Sequence, residues 1–350
     1  MTNDEKYIKR CIEIAGMGLG NVAPNPLVGS VIVYDDKIIG EGYHQNFGGP
    51  HAEVNAILSA EKKNSSLLTK STLYVNLEPC CHFGKTPPCT DLIILKKIPR
   101  VVIGCLDSFD KVSGKGIEKL KSSGCEVKTN ILEKESRILN QRFFTFHEKK
   151  RPYIILKWAQ TKDGFIAGKN SGLGNKSKIS GNTAQILLHK WRSEEQAIMV
   201  GTNTARFDNP KLNVRNWTGI SPLRIVIDKN LRLPSKLYLF DQTLPTLVFT
   251  AKKKKSQNNL IFSLFDFSKN IIPRILEKLY LMNIQSVIIE GGTILLSSFI
   301  REGIWDEARV FTSNINFLSG IKGPLFQGKM ISKEKIGGDE LSIYINSEME

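Results

Sequence analysis

The sequence predicts two consecutive α/β units. Short apolar runs alternate with amphipathic segments in both halves of the 350-residue chain, which is typical of strands covered by helices. A charged segment that ends in proline interrupts this alternation near the middle, and the length is sufficient for two hydrophobic cores. We therefore place a first domain at 1–147, a linker at 148–152 and a second domain at 153–350.

The composition is that of a soluble globular protein, with 41% hydrophobic and 24% charged residues. The amino terminus is charged, and no apolar run is long enough to span a bilayer. Six cysteines are present without the regular spacing of a disulfide framework. We therefore expect a cytoplasmic protein that makes no membrane contact.

The formal net charge of +15 is consistent with binding nucleic acid or attracting a phosphorylated small molecule. The lysines are spread along the chain, and the one dense run, Lys252–Lys255, lies in a predicted surface loop. No motif with aromatic platforms for RNA is visible. We therefore favour a generally basic surface over a dedicated nucleic-acid site.

The elements of the first half follow from apolar periodicity and from glycine and proline breakers. Apolar residues at helical spacing predict a helix over 7–15, and the breaker segment 48–50 predicts a helix that begins at His51. The remaining patterns predict a β-hairpin of 28–34 and 38–43, strands at 72–77, 100–104 and 125–128, and helices at 89–97, 114–123 and 131–146.

Four residues in this half carry the chemistry of a catalytic zinc site: His51, Glu53, Cys80 and Cys89. Zinc prefers nitrogen and thiolate donors in a tetrahedron, so one imidazole and two thiolates leave a position for a water whose pKa falls to about 7. We expect Glu53 to carry protons. We treat Cys81 as a bystander, because adjacent residues rarely point at one metal.

A lone His-x-Glu or a lone cysteine pair is more often structural, but the combination is informative. The order His-x-Glu, Pro-Cys and Cys is similar to the zinc deaminase signature, although eight residues separate Cys80 from Cys89 where that signature has two. The intervening segment, with His82 and a Lys-Thr-Pro-Pro run, resembles that of riboflavin-pathway pyrimidine deaminases. The chain as a whole resembles the bifunctional deaminase–reductases of riboflavin biosynthesis.

This resemblance implies a cytidine-deaminase-like three-layer α/β/α domain followed by a dihydrofolate-reductase-like α/β domain. It also implies contacts with the deaminase substrate for Asn25, His44, His82 and Lys85. Without the resemblance, Asn25 would be interpreted as a turn residue, His44 as a histidine at the surface or at the edge of a strand, and Lys85 as a solvated loop lysine.

The second half continues the α/β pattern more weakly. We predict strands at 153–159, 198–200, 223–228, 247–250 and 286–290, and helices from 183 and over 294–301. The glycines after the 286–290 strand are a plausible cradle for a dinucleotide phosphate. The segment after 312 carries no assignment.

The resemblance implies an NADPH-dependent reductase in this half. It assigns substrate contacts to Lys157, Ser177, Arg192, Leu212, Arg215 and Glu290, and cofactor contacts to Ala159, Ile179, Thr204, Asp208, Lys229, Gly292 and Thr293. Guanidinium groups suit phosphate because they form paired charge-assisted hydrogen bonds, although exposed ion pairing is the commoner role of arginine. The sequence departs from the family at Lys178-Ile179-Ser180, where a tryptophan is usual.

The implied substrate is a phosphorylated pyrimidine that is first deaminated at the zinc site and then reduced on its ribosyl group, and we expect a homo-oligomer. Three alternatives stay open at this point. They are a nucleoside or nucleic-acid deaminase with an unrelated second half, a structural zinc module, and a reductase with an inactive zinc domain.

Overall fold

The structure is a computed structural model that describes residues 1–83, 87–108, 114–169 and 179–347. The chain forms two compact units, Met1–Lys150 and Arg151–Glu350. The division between them falls inside the segment 148–152. Each unit contains its own sheet and its own hydrophobic clusters.

The first unit contains a five-stranded sheet in the order β2-β1-β3-β4-β5, with β2, β1 and β3 antiparallel and β3, β4 and β5 parallel. Its strands are β1 Gly29–Tyr34, β2 Lys37–Tyr43, β3 Thr72–Leu77, β4 Arg100–Cys105 and β5 Glu126–Lys128. Its α-helices are α1 Asn3–Ala15, α2 Ala52–Asn64, α3 Cys89–Leu95, α4 Lys115–Ser122, α5 Glu133–Leu139 and α6 Gln141–Lys149.

Helices cover both faces of this sheet, as the predicted three-layer arrangement requires. Successive strand residues point to opposite faces, so Val31 and Ile32 belong to different clusters. Val31 packs with residues of α1, whereas Ile32 packs with residues of α2, α3 and α4. The apolar spacing that predicted the helix over 7–15 agrees with the buried face of α1, which includes Tyr7, Ile8, Cys11 and Ala15.

Two element boundaries differ from the sequence prediction. His51 is the residue before α2, with extended backbone angles, so only Glu53 of the His-x-Glu pair lies in the first helical turn. The helix predicted over 131–146 is two helices that meet at Asn140. The buried Asn140 side chain accepts a hydrogen bond from the Leu27 amide and donates one to the Leu27 carbonyl, which fixes the break in place.

The second unit is built on a nine-stranded sheet in the order β11-β10-β9-β8-β12-β6-β13-β16-β15, with its first seven strands parallel. Its strands are β6 Tyr153–Gln160, β7 Phe165–Gly168, β8 Ala197–Val200, β9 Leu223–Ile227, β10 Thr246–Thr250, β11 Leu260–Leu264, β12 Ser286–Ile289, β13 Glu307–Thr312, β14 Gly320–Lys322, β15 Lys329–Ile336 and β16 Asp339–Ile345. Its α-helices are α7 Asn182–Glu194, α8 Thr202–Asp208, α9 Ile271–Leu281 and α10 Thr293–Arg301.

Two hydrophobic clusters cover the two faces of this sheet. Helices α9 and α10 contribute to one cluster, and α7 and α8 contribute to the other. The chain runs outward from β8 to β11 on one side of the sheet and then returns to insert β12 between β8 and β6. Ligands of such sheets bind outside the carboxyl ends of the strands where the strand order reverses, which is here the edge formed by β6, β8 and β12.

The carboxy-terminal segment, which carried no sequence assignment, forms antiparallel strands. Strand β16 pairs with β13 and β15, and β14 pairs with β7. The Lys252–Lys255 run is exposed outside the strands and helices, as predicted. Of the helices in the described ranges, none is both long and apolar enough to cross a membrane.

Candidate active sites

The three predicted metal ligands of the first unit converge. His51 Nδ1 lies 3.5 Å from Cys80 Sγ and 3.3 Å from Cys89 Sγ, and all three donor atoms lie within 4.8 Å of one another. Zinc bonds of about 2.3 Å to sulfur and about 2.1 Å to nitrogen place these atoms about 3.6 Å apart at tetrahedral angles. The donor set therefore fits a zinc ion in both chemistry and spacing.

Local structure explains the convergence. Strand β3 ends just before Cys80, whereas Cys89 is the first residue of α3 and His51 directly precedes α2. The amide of Cys89 donates to Cys80 Sγ at 3.3 Å. Hydrogen bonds with Cys89 and His51 outweigh burial and lower the pKa of the Cys80 thiol to about 4, so the thiolate, the form that binds metal, is favoured.

Glu53 lies beside this ligand set and is only 2% exposed. Burial raises the pKa of its carboxyl group, and the neighbouring Cys80 raises it further. Its Oε2 atom is buried without a hydrogen-bond partner in the part of the chain that the structure describes. A buried carboxyl oxygen with unused bonding capacity is suited to exchange protons with a bound molecule.

Asn25 and His44 also belong to this site. Asn25 Nδ2 lies 3.0 Å from His44 Nε2, and His44 Nδ1 lies 3.0 Å from the Pro50 carbonyl. The carbonyl requires a proton on Nδ1, so Nε2 accepts from the Asn25 amide. Burial lowers the pKa of His44, which favours this neutral form. The His44 and His51 rings are 5.4 Å apart, so the pair reaches the metal ligands.

The other two predicted contacts of the deaminase substrate, His82 and Lys85, belong to the segment that joins Cys80 to Cys89. His82 is half-buried in the segment between Cys80 and Cys89. Lys85 lies outside the described residues.

Sequence reasoning gave no role to Glu78. The structure shows that this residue is hydrogen-bonded to the backbone at the start of α4. Its buried carboxylate accepts hydrogen bonds at 3.0 Å from the Gly114 and Gly116 amides. A side chain at Gly116 would lie 2.3 Å from the Pro79 carbonyl, so the close approach requires glycine. Glu78 thereby joins the start of α4 to the segment that presents Cys80, and its place directly before Pro79-Cys80 was the only sequence signal for this role.

Among the predicted reductase residues that the structure describes, Lys157 lies in β6 and Glu290 directly follows β12 at the carboxyl edge of the second sheet. Arg192 and Glu290 form a buried bidentate pair, with Nε to Oε1 at 3.1 Å and Nη2 to Oε2 at 2.8 Å. Lys157 of β6 is also buried here, and burial lowers its pKa although the negative charge of Glu290 opposes that effect. Arg192, Leu212 and Arg215 line one cavity of about 230 Å³.

Two residues without a predicted role support the arginines. Asn213 accepts from Arg192 Nη1 with its backbone carbonyl at 3.2 Å, and from Arg215 Nη1 with its side chain at 3.0 Å. His189 is fully buried, and its Nδ1 accepts from the Arg215 amide at 3.2 Å. Burial and the charges of Arg192 and Arg215 lower the pKa of His189 to about 4, so the imidazole is neutral and can accept at neutral pH.

The predicted phosphate cradle is present in altered form. Gly292 directly precedes α10, and its amide donates to Thr204 Oγ1 at 2.9 Å instead of being available to a ligand. The Leu295 and Leu296 amides donate to the Gly292 carbonyl, so the Thr293 and Ile294 amides are the ones without a carbonyl partner in this helix, and Gly292 provides no side-chain cap. This helix terminus fits a dinucleotide phosphate through the amides after Gly292.

The remaining predicted cofactor contacts lie in separate elements of the second unit. Ala159 lies near the end of β6, Ile179 before α7, Asp208 at the end of α8 and Lys229 after β9. The Thr293 hydroxyl donates to the Lys322 carbonyl at 2.5 Å. Ser177 and Lys178 lie outside the described residues.

Comparison with known proteins identifies a family for each half of the chain. Residues 1–105 match the cytidine and deoxycytidylate deaminase zinc-binding region, and residues 152–335 match the RibD C-terminal domain. The chain is 42% identical to the riboflavin biosynthesis protein RibD of Aquifex aeolicus over 88% of this chain and 86% of that protein. It is 35% identical to the RibD protein of a Synechocystis species, over 94% of this chain and 89% of that one.

Solved structures give the same result. A diaminohydroxyphosphoribosylaminopyrimidine deaminase/5-amino-6-(5-phosphoribosylamino)uracil reductase from Thermotoga maritima superposes with a TM-score of 0.89 at 38% identity, covering 98% of this chain and 99% of that one. RibD from Acinetobacter baumannii gives 0.86 at 31% identity, with 99% of each chain covered. The match of residues 152–335 excludes an unrelated second half, and the match of residues 1–105 to a deaminase zinc-binding region favours a deaminase over a structural zinc module. The chain belongs to the RibD family, the bifunctional deaminase–reductases of riboflavin biosynthesis.

Proposed function

We propose that the first unit removes the exocyclic amine from the phosphoribosylaminopyrimidine named for the Thermotoga maritima relative, with His51, Cys80 and Cys89 holding the zinc. A zinc ion held by three protein ligands lowers the pKa of a coordinated water to about 7. Glu53 accepts a proton from this water and delivers it to the departing ammonia. The observation that carries this assignment is the buried, unpaired Glu53 Oε2 beside the three convergent donors.

Asn25 and His44 orient the pyrimidine in this proposal. The neutral His44 ring fixes the Asn25 amide nitrogen, so the amide is held in one orientation. His82 and Lys85 complete the substrate contacts as the sequence predicts. The fixed amide supplies orientation and removes conformational freedom before the substrate arrives.

We propose that the second unit reduces the ribosyl group of the deaminated product with NADPH. Arg192, Leu212 and Arg215 hold the phosphoribosyl end, and Lys157, Ser177 and Glu290 complete the substrate site. NADPH supplies the hydride, and Ala159, Ile179, Thr204, Asp208, Lys229, Gly292 and Thr293 form its site. The protein contributes by fixing the sugar carbon against the nicotinamide.

The substitution Glu53→Gln tests this division of labour. It removes the proton carrier with little change in shape, so we expect ammonia release to fall by about 10²–10⁴-fold. NADPH oxidation with the deaminated intermediate should be unchanged, because the reductase residues belong to the other unit. Zinc content is measured in the same preparation to show that the site is intact.

Glu61→Gln is the matched control, because Glu61 lies on the same helix and pairs with Lys96 at its surface. This control should retain both activities. Loss of both activities in a folded, zinc-loaded Glu53→Gln protein would contradict the assignment. So would retention of ammonia release.

Three broader expectations belong to the same proposal. A basic surface without a nucleic-acid motif suits a phosphorylated small molecule, and we propose that nucleic acid is not a partner. We also propose a homo-oligomer in the cytoplasm. Light scattering of the purified chain tests the oligomer, and fractionation of cells tests the compartment.

A further inference from the structure

The cavity that contains the reductase arginines carries more positive charge than the predicted site residues account for. It is lined by Arg192, Arg215 and a third cation, Lys211, together with Asn209, Pro210, Leu212 and Tyr238. Its volume of about 230 Å³ is below the roughly 300–1,000 Å³ of pockets that enclose whole drug-sized ligands. The cavity therefore suits one charged end of a larger substrate.

The three cations are not equivalent. The charge of Arg192 is compensated by Glu290, and its Nη1 is already bonded to the Asn213 carbonyl. Arg215 donates to the neutral Asn213 side chain. Neither Arg215 nor Lys211 has a carboxylate within ion-pair distance among the residues that the structure describes. An anion in this cavity therefore meets its strongest uncompensated field at Arg215 and Lys211.

Lys211 is also held in place. Its Nζ atom lies 4.8 Å from the centre of the Tyr238 ring, within the range of a cation–π interaction. The Tyr238 amide donates to Asn209 Oδ1 at 2.8 Å, which ties the ring to the segment that carries Lys211. This restraint lowers the conformational entropy that the lysine would lose on binding an anion.

We infer that Lys211 is a specificity-determining residue of the reductase, which recognises the terminal phosphate of the substrate together with Arg215. This inference rests on the proposed function, in which Arg192, Leu212 and Arg215 hold the phosphoribosyl end. It adds a residue that no sequence motif singled out. Lys211 acts on substrate binding and lies outside the hydride-transfer step.

The test compares the deaminated substrate with the same ribosylaminouracil lacking its phosphate. Lys211→Met retains an unbranched apolar side chain and removes the charge. We expect kcat/KM for the phosphorylated compound to fall roughly tenfold, the loss expected for one charge-assisted hydrogen bond. The fall should lie mainly in KM, and kcat/KM for the unphosphorylated compound should not change. Lys211→Arg should restore most of the discrimination.

Lys190→Met is the matched control. Lys190 also lies over an aromatic ring, 5.8 Å from the centre of Trp217, but it does not line the cavity. The Lys190→Met substitution removes the same charge from the same unit. It therefore distinguishes the loss of a local phosphate contact from a general change in the surface charge. We expect it to leave the ratio of the two kcat/KM values unchanged.

Arg215→Met is measured in parallel to separate the inference from the proposal beneath it. If Arg215→Met lowers the ratio and Lys211→Met does not, the role of Lys211 is wrong and the proposed site stands. If neither substitution lowers the ratio, the phosphate binds elsewhere and both are wrong. If Lys211→Met lowers kcat/KM equally for both compounds, the residue is structural and the inference is overturned.

Discussion

Arg192 and Glu290 form two hydrogen bonds, of 3.1 and 2.8 Å, between side chains that are 7% and 11% exposed. Arg192 comes from α7, and Glu290 directly follows β12. Two residues that are 98 positions apart in the sequence thus neutralise each other's charge at the carboxyl edge of the sheet. The pair fixes the guanidinium of Arg192, which also lines the cavity of about 230 Å³.

Breaking this pair should destabilise the second unit. Glu290→Gln leaves the buried Arg192 charge without its anion, and such changes cost about 3–5 kcal/mol in buried pairs. All four tryptophans, at positions 158, 191, 217 and 305, lie in this unit, so tryptophan fluorescence during urea unfolding reports it selectively. NADPH oxidation should also be lost.

The matched control for this experiment is Glu277→Gln, at an exposed position of α9. It should change the free energy of unfolding by less than about 0.5 kcal/mol. A Glu290→Gln protein as stable as the wild type would show that Arg192 finds another partner.

The cysteines at 80, 81 and 89 should differ in their effect on bound zinc. Cys81 is absent from the group of donors that converge on one point, whereas Cys80 and Cys89 belong to it. We expect Cys89→Ser to reduce bound zinc to a small fraction of about one ion per chain, because the site loses one of its three protein ligands.

Cys81→Ser is the matched control, since it makes the same substitution next to a ligand. Metal content after gel filtration, read by mass spectrometry, distinguishes the two variants without relying on activity. Equal zinc contents would contradict the assignment of the ligands.

Asp4 should make the first unit sensitive to acid. It accepts hydrogen bonds from Arg100 at 3.0 and 3.1 Å, Lys128 at 2.8 Å and Tyr74 at 3.0 Å. Burial alone would raise the pKa of Asp4, but the bonds from Arg100 and Lys128 outweigh it and lower the pKa from 3.8 to about 2. The stabilisation is therefore present above pH 3.8 and is lost as the pH falls through 2.

Asp4→Asn should destabilise this unit by about 1–2 kcal/mol at pH 6, allowing for screening of the partly exposed cations, and most of the difference should be lost by pH 2. The unit contains no tryptophan, so hydrogen exchange of the β1 and β3 amides, corrected for intrinsic exchange, is the appropriate measurement. The exposed Asp35→Asn variant is the control. A difference that persists unchanged at pH 2 would show that the Asp4 charge is not its source.

Local sequence was sufficient for most strands and helices. Strand β3 was predicted with its observed bounds, because a run of β-branched and apolar residues ends at a proline-containing turn. The helix predicted over 131–146 was wrong in one respect, since its break at Asn140 depends on hydrogen bonds to Leu27, 113 positions away. No periodicity within a segment can reveal a bond to such a distant partner.

The sequence by itself determined the chemistry of the candidate sites. Motif order identified His51, Glu53, Cys80 and Cys89, because a metal site needs particular atoms and those atoms define residue types. Only the tertiary structure decided which charges are compensated. It paired Arg192 with Glu290 and placed Lys211 in the lining of the same cavity as Arg215. Charge compensation depends on distances of a few ångströms between segments that are far apart in the sequence. The order of the residues does not reveal those distances.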